Sequence, residues 1–195
     1  MNTPAHLIIG LSAFGKPDAP KVTLAALTGA ILPDLSLYLL AGTHLFVLGT
    51  SPEVVFNELY FSDLWQTIFK IDNSFLIWGV GLGLALAMRS AWAVALCGAA
   101  LLHIGLDFPL HHDDGRAHFW PLTDWIFQSP VSYWDPRHYG GLVGAAEIVL
   151  CLALCAWLWS RFRGLVMRLL IVSLALAELV PGILWAIMFA GGGGL

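Results

Sequence analysis

Charged residues are scarce in this chain: only 11% of its 195 residues are Asp, Glu, Lys or Arg, whereas 58% are hydrophobic. A soluble globular domain carries about 25% charged residues, so the composition argues against an ordinary soluble domain. Lys and Arg together number only 9, too few for the basic surface of a nucleic-acid-binding protein. The composition therefore predicts an integral membrane protein without a nucleic-acid partner.

Cysteine is also scarce. The three cysteines, Cys97, Cys151 and Cys155, all lie inside apolar runs, where we expect small buried side chains and no disulfide framework. A signal peptide is not apparent, because MNTPAHLIIG lacks a basic start and carries His6 where a signal peptide is apolar. We therefore expect the first apolar segment to remain in the mature protein.

Apolar runs that approach membrane-spanning length are the main feature that is present. The expected fold is all-α: a polytopic transmembrane helix bundle of about five spans plus a short N-terminal apolar helix. Residues 1–195 then form a single integral membrane domain. The short helix is predicted at 4–14 and the spans at 22–42, 74–88, 91–110, 141–160 and 165–190.

Two connecting segments are more polar and rich in aromatic residues. Residues 43–73 are predicted to form an interfacial helix or a lid, and residues 111–140 a loop on the lipid headgroups, since Trp and Tyr favour the membrane–water interface. Lys and Arg are more numerous on the opposite side of the alternating spans, so the positive-inside rule places both segments outside. The glycine-rich tail at 191–195 is expected to be flexible.

The stretch 101–125 contains four of the seven histidines. Within it, His103, Asp107 and His111 are spaced i, i+4, i+8, which places three potential metal ligands on one face of a helix. Imidazole and carboxylate ligands suit zinc, with manganese or iron as alternatives. The stretch is therefore a predicted metal site, although a solvated loop would give the same composition.

Two residues remote in sequence are predicted to reach the same depth in the membrane. Asp34 and His103 each lie about twelve residues into an outward-going span, roughly 18 Å above the cytoplasmic side. His6, in the short first segment, can reach that level as well. A general base beside the ion could be Asp113 or His112. The predicted metal ligands are His6, Asp34, His103, Asp107 and His111.

These motifs resemble those of the bacterial membrane-bound, metal-dependent hydrolase family typified by a small SOS-regulated inner-membrane protein. His6 matches the N-terminal histidine of that family, and Ile31-Leu32-Pro33-Asp34 matches the start of its LLPDxDH motif. The segment His103–Asp107 matches its HxxxD helix, and Trp120-Pro121 matches the segment that follows. The chain lacks the second acid and the histidine of LLPDxDH, and the whole HRGxTHS motif. The resemblance implies either that residues 111–114 replace the missing ligands or that the metal site is degraded.

The resemblance also implies a hydrolase of the bacterial inner membrane with a divalent ion, zinc or else manganese or iron, as cofactor. A site at the membrane interface would contact membrane lipids and suits a lipid or a lipid-linked phosphate ester as substrate. Two alternatives stay open. One is a non-enzymatic membrane protein that binds or transports a metal or a cofactor, such as a cobalamin-related one. The other is an assembly protein whose histidine loop binds a partner.

Overall fold

The computed structural model describes the backbone of residues 1–190 and the side chains of residues 1–180, and within that part the chain is helical with no strand. The all-α prediction is confirmed for these residues, and the predicted tail at 191–195 lies outside them. Short π-helical turns at Thr43–Val47 and Val55–Leu59 and a 3-10 helix at Pro136–His138 accompany the α-helices. The helices are α1 Thr3–Phe14, α2 Pro20–Gly42, α3 Pro52–Val54, α4 Asp63–Asp72, α5 Phe75–Ala87, α6 Ala91–Asp107, α7 Gly140–Arg161 and α8 Leu165–Ala190.

Three helical stretches of the described part are long and apolar enough to cross a membrane: Pro20–Val47, Asp63–Ala87 and Gly140–Arg161. These stretches support the predicted membrane character of the chain. Two further apolar helices, α1 and α6, are shorter. The second of the long stretches joins α4, which the sequence assigned to an interfacial segment, to the predicted span at 74–88.

Helix α6 is shorter than the predicted span at 91–110, because it ends at Asp107. Pro109 explains this end, since proline has no backbone N–H to make the next helical hydrogen bond, to the Gly105 carbonyl. The predicted helical face through His103, Asp107 and His111 therefore needs correction. His103 and Asp107 lie on α6, whereas His111 belongs to the loop beyond it.

Close packing of α1, α2 and α6 sets the position of the polar residues. A Cβ atom on Gly29 of α2 would lie only 2.0 Å from the carbonyl oxygen of Leu96 in α6. A Cβ atom on Gly10 of α1 would lie 2.8 Å from the Cβ atom of Ala30. Small residues at these crossings let the helix backbones approach closely, so α1 and α6 meet α2 at nearly the same height.

The loop after α6 is fixed at the junction between α4 and α5. The Ser74 side chain accepts a hydrogen bond from Ile77 N at the start of α5 (3.2 Å), and its hydroxyl donates to the Trp120 carbonyl (2.5 Å). The His118 ring donates from Nδ1 to the Asn73 carbonyl (2.9 Å), and the His118 backbone carbonyl accepts from Phe75 N (2.9 Å). These bonds fold residues 111–120 back over the end of the helix bundle.

Candidate metal centre

Two histidines and one aspartate from two helices meet inside the bundle. His6 comes from α1, and His103 and Asp107 come from successive turns of α6; all three are buried. Asp107 Oδ1 lies 2.9 Å from His6 Nε2, and Asp107 Oδ2 lies 3.3 Å from His103 Nε2. The two imidazole rings stack with their centroids 3.6 Å apart. Among the described residues, these three form the group whose ligand atoms, all within 4.8 Å of one another, could hold a metal ion.

The Nε2 atoms of both histidines are buried without a hydrogen-bond partner in the described part of the chain. The nearby Asp107 oxygens are close enough for hydrogen bonds, but they do not lie at hydrogen-bonding angles. A buried polar atom without a partner is uncommon because it carries a desolvation cost. Two ligands of a tetrahedral zinc ion lie about 3.3 Å apart when each bond is about 2 Å long. The separations from Asp107 to both histidines therefore fit a shared divalent ion.

The backbone of α2 fixes the tautomer of His103. The Nδ1–H group of His103 donates to the Ala30 carbonyl at 2.7 Å, and a carbonyl can only accept. The ring therefore presents the Nε2 lone pair to the centre when it is neutral, as a metal ligand must. A histidine ligand held through its other nitrogen is the usual arrangement at protein metal sites.

Asp34 and His111 lie at the edge of this group. Asp34 Oδ2 is 3.8 Å from His103 Nε2, and His111 Nε2 is 3.5 Å from Asp107 Oδ2. Tyr38, one turn after Asp34, directs its hydroxyl towards the Asp34 carboxylate at 3.5 Å. Either residue could complete the coordination of an ion held by the inner three. The structure thus brings all five predicted ligands into one neighbourhood, with His6, His103 and Asp107 at its centre.

His111 connects the centre to the loop. Its Nδ1 lies 2.9 Å from Asp114 Oδ2, which also accepts a hydrogen bond from Trp134 Nε1 at 3.1 Å. Burial acts to lower the pKa of His111, but the carboxylates of Asp107 and Asp114 outweigh it and raise that pKa above its usual value. Burial acts to raise the pKa of Asp114, but His111 and Trp134 outweigh it and lower that pKa. The sequence suggested residues 111–114 as replacements for the missing motif ligands or as part of a solvated loop, whereas the structure places Asp114 against His111.

The two predicted general bases lie in different surroundings. Asp113 is exposed and lines a cavity in front of the metal centre. His112 points elsewhere: its Nδ1–H donates to the Ser129 carbonyl at 2.6 Å, and its ring stacks on His138 with centroids 3.7 Å apart. His112 is not among the described side chains that line the cavity.

The cavity has a volume of about 610 Å³, within the range of about 300–1,000 Å³ typical of small-molecule sites. Asp34, Asp107 and His111 form its polar end. Further polar residues also line it, namely Asn2, Thr3, Asn57, Asp113, Asp114 and Arg116. Aromatic and apolar side chains from both connecting segments and from α2 complete the lining: Leu37, Tyr38, Phe56, Tyr60, Phe61, Tyr133 and Trp134. The predicted lid, residues 43–73, thus contributes directly to the cavity.

Segment 43–73 is also anchored internally. Trp65 and Phe69 of α4 are buried against Val55 and Ala41, which leaves them unable to serve as interfacial anchors. Phe56 and Phe61 are exposed by 47% and 57% and lie at the cavity. The aromatic residues therefore divide into a buried set that fixes α4 and a set that borders the cavity.

Other buried ionisable residues hold structural elements in place. Glu147 of α7 accepts two hydrogen bonds through Oε1 from Asn2, one from the backbone N (2.9 Å) and one from the side chain (2.8 Å), and so anchors the start of α1. His118 is buried at the α4–α5 junction, and burial lowers its pKa to about 4. Glu178 of α8 is fully buried, and neither carboxylate oxygen has a hydrogen-bond partner among the described residues.

Sequence reasoning also missed Arg116, which lines the cavity and is 8% exposed. The available signal was that Arg116 is the one Lys or Arg within residues 101–125.

Comparison of the chain with known proteins finds no matching family model, no matching curated protein and no matching solved structure.

Proposed function

We propose that the chain is a membrane-embedded, metal-dependent hydrolase. The observation that carries this proposal is the buried pair of histidine Nε2 atoms, both without hydrogen-bond partners and both close to Asp107, at the polar end of a cavity. The family resemblance of the HxxxD and LLPD segments points the same way. In this proposal the chain crosses a bacterial inner membrane about five times, with the cavity towards the outer face.

The ligand set suits zinc, with manganese or iron as alternatives. A divalent ion, when bound, supplies Lewis-acid polarisation of a phosphoryl oxygen and lowers the pKa of water. His6, His103 and Asp107 would hold the ion, and Ala30 fixes the His103 ring. His111 or Asp34 would complete the coordination.

Proton transfer is assigned to Asp113. Its carboxylate is exposed to the cavity, so it can accept a proton from water that enters with the substrate. His112 is a weaker candidate because its Nδ1–H and one ring face are already engaged by Ser129 and His138. Asp113→Asn should therefore reduce turnover more than His112→Gln does, with little effect on bound metal.

The proposed substrate is a lipid or a lipid-linked phosphate ester. Aromatic and aliphatic walls suit an apolar tail, and strongly exposed apolar residues of the connecting segment, Phe46 at 87% and Val47 at 78%, suit contact with membrane lipids. The polar end of the cavity would then receive the ester group.

Phosphate release in detergent micelles tests the function. Purified full-length protein, loaded with zinc, manganese or iron in turn, is incubated with dioleoyl phosphatidic acid. We expect release that a chelator abolishes and that Asp107→Asn reduces by at least about 100-fold, in line with the loss of a direct ligand. Asp124→Asn is a matched control, because that carboxylate is exposed and pairs with Lys70. Equal release by wild type and Asp107→Asn would contradict the proposal.

A second candidate, metal or cofactor binding or transport without turnover, has one observation in its favour. The fully buried Glu178 carboxylate, with both oxygens unpartnered among the described residues, is a polar group inside a bundle, where such groups often serve ion pathways. Stoichiometric metal without release from any phosphate ester would support this candidate.

A further inference from the structure

We propose that Arg116 is the anion-recognition residue of the cavity, and that it binds the phosphate group of a phosphate monoester attached to an apolar carrier. This inference rests on the proposed function for the identity of the ester. The binding of the anion itself does not depend on turnover.

Arg116 is a buried cation without an ion-pair partner. Its side chain lines the cavity and is only 8% exposed. None of the ion pairs in the described part of the chain involves it. Its Nη1 atom is buried and has no hydrogen-bond partner there. An unpaired buried charge is costly unless a partner arrives, so the guanidinium is suited to an anionic ligand.

The surroundings of Arg116 hold its guanidinium in place but leave its donors free. The guanidinium carbon lies 4.2 Å from the centre of the Phe69 ring and 5.5 Å from that of Tyr60. Aromatic rings interact with a guanidinium through its charge and its flat faces, which leaves the N–H groups at its edge for hydrogen bonds. A planar fork of N–H donors matches two oxygens of a phosphate. Phe69 is itself buried in the cluster that anchors α4, so the cation is preorganised.

Arg116 is linked to the metal centre through the cavity wall. The Tyr60 hydroxyl donates to the Asp114 carbonyl at 3.4 Å, and the Asp114 carboxylate lies against His111. Four aspartates line the cavity, namely Asp34, Asp107, Asp113 and Asp114, and Arg116 is its one Lys or Arg. These carboxylates disfavour an anion, and the Met1 ammonium, which also lines the cavity, is already paired with Asp107 Oδ1. A phosphate therefore needs a second cation. We therefore expect Arg116 and a divalent ion to bind the phosphate jointly.

The substrate class follows from this combination. A guanidinium and a divalent ion in one cavity select a dianionic phosphate monoester, whereas the aromatic walls select an apolar carrier. A lipid headgroup and a soluble phosphate share the same anion, so the probes must separate them.

The test measures binding and not turnover. Full-length protein in neutral detergent, loaded with a divalent ion, is titrated with dihexanoyl phosphatidic acid, inorganic phosphate or uncharged dihexanoylglycerol, and affinity is read by calorimetry. Variants are Arg116→Gln, Arg116→Lys and the control Arg163→Gln, an exposed arginine outside the cavity. Short incubation at low temperature, with free phosphate monitored, keeps hydrolysis out of the signal.

We expect Arg116→Gln to weaken phosphatidic acid binding by about 10- to 100-fold, the worth of a charged hydrogen-bonded contact, and Arg116→Lys to fall between. Dihexanoylglycerol affinity should not change, and Arg163→Gln should match wild type. Arg116-dependent binding of phosphatidic acid alone would identify a lipid ligand, and similar dependence for inorganic phosphate would identify a soluble one. Unchanged phosphatidic acid affinity in Arg116→Gln would overturn the inference, as would an equal loss for dihexanoylglycerol, because Arg116 would then only shape the cavity.

If Arg116→Gln fails to fold, Arg116→Lys decides. At least fivefold weaker phosphatidic acid binding with unchanged dihexanoylglycerol affinity would support the inference, and unchanged phosphatidic acid affinity would overturn it. The two proposals also fail separately. Binding that depends on Arg116 without phosphate release would contradict only the proposed hydrolase function. Phosphate release by a protein whose phosphate affinity does not depend on Arg116 would contradict only this inference.

Discussion

Replacement of Asp107 by asparagine should strongly weaken the affinity of the protein for a divalent metal ion. Asp107 is the residue that the histidines of the centre share, at 2.9 Å from His6, 3.3 Å from His103 and 3.5 Å from His111. Asparagine keeps the shape of the side chain but removes its charge. Loss of a residue that only supports a ligand costs about 10- to 100-fold in metal affinity. For a direct ligand such as Asp107 we therefore expect a loss of metal affinity of at least about 100-fold.

This loss of metal affinity predicts a smaller zinc-induced increase in Tm for the variant than for wild type. Zinc at 100 times the wild-type Kd stabilises the folded state by about 2.7 kcal/mol, whereas a variant with 100-fold weaker affinity gains only about 0.4 kcal/mol. For a chain of this size, 1 kcal/mol corresponds to about 2–4 °C in Tm. Zinc should therefore raise the wild-type Tm by roughly 5–10 °C and that of Asp107→Asn by about 1–2 °C.

Thermal unfolding in detergent, with chelator-treated protein titrated with zinc, measures both shifts. Asp124→Asn serves as the control, because Asp124 is exposed and pairs with Lys70, and its shift should equal that of wild type. A zinc-induced shift in Asp107→Asn as large as in wild type would refute the assignment of Asp107 as a ligand.

Three further predictions concern the scaffold around the centre. Gly29→Ala should destabilise the fold by about 1–3 kcal/mol and weaken zinc binding, because its Cβ would meet the Leu96 carbonyl. Gly79→Ala is the control, since Gly79 has open space around it and the substitution should have neither effect. Thermal unfolding with and without zinc compares the two variants. Glu147→Ala should free the start of α1 and cost about 1–3 kcal/mol, while Glu147→Gln, which keeps an acceptor for Asn2, should retain most of the stability and zinc affinity. Because the His118 pKa is lowered to about 4, its stabilising contribution is fully present above the unfolded pKa of about 6.5 and falls by about 3 kcal/mol as the pH drops from 6.5 to 4. His118→Asn should remove that part of the pH dependence, as denaturant titrations from pH 7.5 to 4 would show. A wild-type stability equal at pH 7.5 and 4 would contradict the neutral buried state of His118.

Part of the centre could be predicted because it depends on local geometry. His103 and Asp107 are one helical turn apart, so any helix over this stretch brings them onto one face, and the structure places their ligand atoms 3.3 Å apart. The proximity of Asp34 to His103 followed from counting residues along two spans. These inferences need only the helical rise and the length of each apolar run.

Other parts depend on contacts that no local pattern contains. Helix α6 ends at Asp107, so His111 lies outside it, and the one sequence signal for this end is Pro109, which lacks a backbone N–H. His111 nevertheless reaches the centre because Asp114 holds it from the other side. Arg116 is distinctive in the sequence as the one Lys or Arg of residues 101–125, but its place in the cavity could not be predicted, because its aromatic partners Tyr60 and Phe69 come from a distant segment.

The metal content of the purified, detergent-solubilised protein tests the central claim most directly. Elemental analysis is made on wild type and on the double variant His103→Ala/Asp107→Ala, each taken from a single monodisperse chromatographic peak so that misfolded protein is excluded. The account predicts about one divalent ion per wild-type chain, in keeping with a single group of two histidines and one carboxylate, and none in the double variant. Bound metal that is unchanged in the double variant, or a wild-type chain without stoichiometric metal after growth and purification with zinc present, would contradict it.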